Sequence, residues 1–167
     1  MSSKTSVSKE EMAYALWQLC CDLADKFSAE HRPEYRHGGF LSRPGEDTNF
    51  MLESIILHLW VIVAVLGDRD RDLLDLVHNY FTNWNPVAAR TLGDRYDAYH
   101  EANSQDKELH AKGLPPLKLS RLALQCLLNN GKICEKELGF DWDMRLSLEL
   151  SADFKVIREF RQKFEVI

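Results

Sequence analysis

Apolar positions recur along most of this chain at intervals of three and four, the spacing that puts side chains on one face of an α-helix. Ser8 and Glu11 stand just ahead of the first such run. Their spacing is that of a capping box, in which each side chain satisfies the other's exposed backbone N–H. Met12, Leu16, Leu19, Leu23 and Phe27 then share a stripe, which predicts an amphipathic helix ending near Ser28. Residues 1–7 have no apolar period and are expected to form a flexible lead-in. Residues 30–46 hold two prolines, three glycines and no sustained period, so a long connection is expected there.

From Asp47 or Thr48 to Leu66 the apolar side chains cover the whole circumference of a helix, which belongs in the middle of a bundle; Gly67 stops it. Asp68 is the expected N-cap of the next helix, Arg69 to Trp84, with Leu73, Val77, Tyr80, Phe81 and Trp84 inward. So tight a joint predicts an antiparallel hairpin. Asn85 followed by Pro86 reads as an N-cap and first helical position, opening a helix to about Ala102 with Ala88, Leu92, Tyr96 and Tyr99 buried. Residues 103–116 lose the period and read as a second long connection.

Leu117 to Asn130 carries leucines on opposite faces, so it should be covered on both sides, with Gly131 ending it. A short piece, Lys132 to Leu138, follows. Met144, Leu146, Leu148 and Leu150 alternate like a strand, but Leu146, Leu150, Phe154, Ile157, Phe160 and Phe164 keep helical spacing, and the longer pattern decides for helix. The chain is expected to be all-α, a single-domain helical bundle of about six helices, without an internal repeat.

Its 167 residues suit one domain, and 45% hydrophobic with 28% charged residues is the composition of a chain that folds and dissolves. A net charge of −5, with no helix face collecting lysine and arginine alone, argues against nucleic acid as a partner. The densest basic group, Lys155, Arg158, Arg161 and Lys163, is interleaved with Asp153, Glu159 and Glu165 and reads as a solvated face. Cys20, Cys21, Cys126 and Cys134 form no Cys-x-x-Cys pair and read as reduced, buried thiols. The run IILHLWVIVAVL at 55–66 spans only about 18 Å as a helix against a hydrocarbon core near 30 Å, so no membrane insertion is expected. With no apolar signal segment near Met1, a cytoplasmic location is expected.

Candidate chemistry is sparse. Two Asp-x-x-His steps, Asp75 with His78 and Asp97 with His100, have the spacing with which helical bundles hold metal ions. Yet His78 and Asp75 lie about 100° and 160° from the buried direction at Val77, which points both towards solvent. His100 and Asp97 are similarly off the stripe centred on Leu92. Glu53 and His58 are the ionisable residues inside the most apolar helix and are weak candidates for a ligand pocket. The plainer expectation has Glu53 near the positive end of its helix and His58 as a hydrogen-bonded core histidine. His31, Arg32, Arg36, His37 and Arg43 surround Gly38 and Gly39 in a stretch that could hold an anion, but no phosphate-loop spacing supports it. Of the aromatics, Trp17, Trp60, Trp84, Trp142, Tyr80, Tyr96 and Tyr99 are expected in the core; any exposed together would mark an interface.

The reading that follows is a non-catalytic interaction or adaptor module, needing no cofactor, binding a protein partner and able to self-associate. The alternative is a metal- or small-ligand-binding bundle using Asp75, His78, Asp97 and His100.

Overall fold

The computed structural model describes residues 4–31, 46–130 and 142–167. It is all-α apart from one short ribbon. The helices are α1 (Lys9–His31), α2 (Glu46–Leu66), α3 (Arg71–Trp84), α4 (Pro86–Ala89), α5 (Leu92–Ala111), α6 (Lys118–Asn130) and α7 (Trp142–Gln162).

The local signals act as the sequence predicts at several ends. Ser8 N donates to Glu11 Oε2 (2.8 Å) and Glu11 N to Ser8 Oγ (3.1 Å), so the capping box opens α1. Ala88 N donates to Asn85 Oδ1 (3.0 Å) with Pro86 in the first turn. Gly67 takes φ +61° just after α2, a conformation that a β-carbon disfavours. As its all-round apolar surface requires, α2 is central: it packs against α1, α3, α5, α6 and α7, and Trp60, Val61, Leu59 and Ile62 are fully buried.

Three elements differ from expectation. A 3₁₀ turn at Gly67–Asp70 joins α2 to α3, so Asp70 rather than Asp68 holds the N-cap position, with no side-chain cap bond. The helix expected from Pro86 to Ala102 is broken after α4, and α5 runs on to Ala111. Much of the second expected connection is therefore helix. Its stop is Gly113 at φ +72°, where Leu114 N bonds Leu109 O (2.9 Å) and Gly113 N bonds His110 O (3.0 Å), the two bonds of a Schellman ending. Third, Thr5–Val7, in the expected lead-in, form a strand, β1, paired in parallel with β2 (Phe164–Val166). The ribbon brings the two ends of the described chain together.

Helix directions follow from paired contacts. Phe27 stacks on Phe50 (5.8 Å) and Ser54 Oγ donates to Ala24 O, so α1 and α2 run antiparallel. Lys9 meets Asp72, Tyr14 meets Tyr80 and Trp17 meets Trp84, so α1 and α3 run parallel. The seam between those two helices faces outward.

Candidate functional site

The two Asp-x-x-His steps do not converge. Asp75, Asp97 and His100 are exposed, and His100 lies edge-on to the Trp60 ring (5.7 Å). His78 is half-buried with Nε2 3.0 Å from the Tyr96 hydroxyl, so its ring faces a phenol and not Asp97 or His100. Burial holds the His78 imidazole below its ordinary 6.5, with Asp75 pulling weakly the other way. A neutral imidazole accepts from Tyr96, whose own hydroxyl burial pushes up. Among the described residues no group of three or more His, Cys, Asp and Glu side chains comes together as a metal site would need.

Glu53 and His58 lie in the core as separate structural contacts. Glu53 does not sit in the first turn of α2, because that helix begins at Glu46. Its charge is met instead by Arg95 of α5, whose Nη2 donates to Oε1 at 3.0 Å, while Arg95 Nη1 lies against Cys126 Sγ of α6. Burial, first, and the neighbouring Cys126 push the Tyr99 hydroxyl well up. Burial raises the thiol of Cys126 despite the opposing Arg95 charge, so this sulfur is a packed thiol, unlike an activated nucleophile. Arg95 escapes a reading by apolar stripes, yet a signal exists: it lies between Leu92 and Tyr99 on the inward side of α5, and a buried carboxylate on α2 needs a cation.

His58, 1% exposed, bridges α2 and α7. Its Nδ1 donates to the Ser54 carbonyl (2.7 Å) and its Nε2 faces Asp153 Oδ2 (3.2 Å). This is the hydrogen-bonded core histidine of the plainer expectation. A third buried polar contact, unforeseen, is Asp106. Its two oxygens accept from the backbone N–H groups of Lys118 (2.7 Å) and Leu119 (2.9 Å), so a side chain from α5 caps α6. Beside it an open groove of about 260 Å³ runs between α5, α6 and α7, floored by Leu119, Leu150 and Phe154 and edged by Lys107 and His110.

The aromatic residues divide. Trp17, Trp60, Trp142 and Tyr99 are buried, and Tyr80 and Tyr96 are half-buried. Trp84 does not fit the core stripe expected of it: it is 47% exposed, because it sits at the last turn of α3 where α4 turns away. Tyr14, on the outer side of α1, is 52% exposed. These two lie along the α1–α3 seam, in a strip made of two ring clusters. Tyr14 meets Tyr80 edge-on (5.7 Å), Trp17 meets both Phe81 and Trp84 (6.3 Å each), and Phe81 meets Trp84 (5.9 Å). Val87, 72% exposed, follows immediately on α4. The strip has a buried base and exposed aromatic rims, an arrangement suited to receiving another apolar surface.

The cysteines described are free: Cys20 and Cys126 are buried and Cys21 is half-buried. Cys134, the segment 132–138 and the expected helix end at Gly131 lie outside the described residues. So does the candidate anion stretch from Arg32 to Arg43; of His31, the last residue of α1, the side chain is likewise not described. In the basic group near the C-terminus, Arg161 is held by Asp70 (3.3 Å) and Lys155 lies 3.8 Å from Glu159, which leaves a mixed, partly paired face. No described helix is long and apolar enough to cross a membrane. Compared with known proteins, the chain matches no family model, no curated protein and no solved structure, so its own geometry carries the functional argument.

Proposed function

We propose that this chain is a non-catalytic interaction module that presents the α1–α3 aromatic edge to a protein partner. The observation that carries the reading is the joint exposure of Trp84 and Tyr14 along the one seam between α1 and α3, each packed against further rings. Tryptophan and tyrosine bring large contact areas with few rotatable bonds and dominate binding hot spots. The buried polar groups point the same way: Glu53, His58 and Asp106 are engaged in joining helices, leaving no assembled set of acid, base and nucleophile among the described residues. The aspartate and histidine pairs on α3 and α5 face different neighbours, so the metal-binding alternative gains no support from geometry.

The test is affinity purification from the native host with quantitative mass spectrometry, comparing the wild type with a Tyr14→Ala/Trp84→Ala variant. A stoichiometric partner recovered with the wild type and depleted about tenfold or more with the variant supports the reading. Equal recovery with both, the variant's helical circular dichroism being unchanged, would refute it.

A further inference from the structure

The rim of the aromatic edge is acidic. On α1 the residues Tyr14, Gln18, Cys21 and Asp25 follow at intervals of four, three and four, so they share one helical stripe, and Asp22 lies beside it. Glu10 stands one turn before Tyr14 on the same side. Glu10, Asp22 and Asp25 are exposed and take part in no hydrogen bond or ion pair among the described residues. Their field reaches the strip: burial, then Asp25 and Asp22, pushes the half-buried Cys21 thiol up to about 11.

Among the described residues, cations nearby are few or already engaged. Lys9 pairs with Asp72 at 2.9 Å and Lys26 lies 3.9 Å from Glu30, while Arg90 stands at the C-cap of α4. The α3 side of the seam contributes the neutral side chains Asn79 and Asn83.

We infer that the occupant of this edge is a basic amphipathic helix from another protein. The inference rests on the reading of the edge as a binding surface. Three features point to that partner. The outer face of α1 rises about 22 Å from Glu10 to Asp25, matching some fifteen residues of helix, and α3 flanks its first half, from Asp72 beside Lys9 to Trp84 beside Trp17. Glu10, Asp22 and Asp25, without an ion pair among the described residues, complement lysine or arginine flanking an apolar stripe, and the half-exposed rings of Trp84 and Tyr14 attract the same cations. The sign also discriminates. Nucleic acid and anionic lipid surfaces are repelled, and a second copy of this edge would set carboxylate against carboxylate.

The experiment titrates the full chain into a fluorescein-labelled eighteen-residue helical peptide with leucines at i, i+3, i+4 and i+7 and lysine elsewhere. The controls are a twin with glutamate for lysine and a scramble of the lysine peptide. Anisotropy should show the lysine peptide binding at least about tenfold more tightly than either control. Trp84→Ala should weaken it about tenfold and Asp22→Asn/Asp25→Asn several-fold, the latter effect shrinking at high salt. Equal binding of the acidic twin or the scramble, no binding of the lysine peptide, or indifference to Trp84→Ala overturns the inference. The two readings fail separately. A cellular partner lost with Trp84→Ala but kept with Asp22→Asn/Asp25→Asn would remove the basic helix and leave the interaction edge standing.

Discussion

Single residues in this protein matter most where a charge or a ring nitrogen has been taken out of water. Glu53 is 6% and Arg95 24% exposed by side chain, and their contact joins α2 to α5. Removing Arg95 takes the guanidinium from a buried carboxylate, so Arg95→Met should cost about 2–4 kcal/mol in denaturant unfolding, the partial exposure of Arg95 tempering the penalty. Glu53→Leu/Arg95→Met should recover much of that loss, because a packed apolar pair needs no solvation; a double variant as unstable as the sum of the single ones would contradict this account. His78 carries a pH dependence whose sign follows from its environment. Burial lowers its folded pKa beneath the ordinary 6.5, so its stabilising contribution is complete above about 6.5 and is lost as the pH falls, when the unfolded chain takes up the proton first. Unfolding free energy measured at pH 7.5 and 5.5 should therefore fall less in His78→Gln than in the wild type. Identical falls would assign the effect to other groups.

Among the elements, α7 best separates two readings of one pattern. Met144, Leu146, Leu148 and Leu150 would share one face of a strand, but on the helix Leu146 and Leu150 are 1% and 3% exposed while Met144 and Leu148 are 53% and 67% exposed. Leu150→Ala should cost about 2–4 kcal/mol, and Leu148→Ala should stay within about 0.5 kcal/mol of the wild type. Similar costs at the two positions would argue for the alternating arrangement. The end of α5 teaches a different lesson. Loss of apolar period after Ala102 suggests a loop, yet the helix continues for another two turns with Ala102 and Asp106 buried. Hydrophobic period registers only faces buried by apolar contact, and here much of the inward surface is a small side chain and a carboxylate. The true stop was legible in another signal, Gly113 before Pro115 and Pro116.

At the scale of the whole molecule, α2 is the common partner. Five other helices pack on it, so each of them loses apolar cover when α2 unfolds. Thermal unfolding followed by far-ultraviolet circular dichroism and by tryptophan fluorescence should therefore give one coincident transition. Trp60 and Trp142 are buried against different neighbours, which makes fluorescence a probe of more than one region. Separate midpoints would show that part of the bundle unfolds on its own. The outward seam of α1 and α3 is a consequence of the same packing: both helices turn one side to α2, and their remaining aromatic residues meet each other at the surface.

The sequence by itself determined the all-α class, the capping boundaries at Ser8 and Asn85, the stop at Gly67 and the interior position of α2. Each of these depends on residues within a turn or two of one another, or on period around a single axis, and such information is local. Tertiary structure decided which polar groups meet, since Glu53 and Arg95 are 42 residues apart and His58 and Asp153 are 95 apart. It also decided that Trp84 and Tyr14 stand outside with Trp17 beneath them. A helical wheel gives directions about one axis. The relative register and rotation of two packed helices, set by how their side chains interdigitate, decide which of those directions end in a partner and which in water.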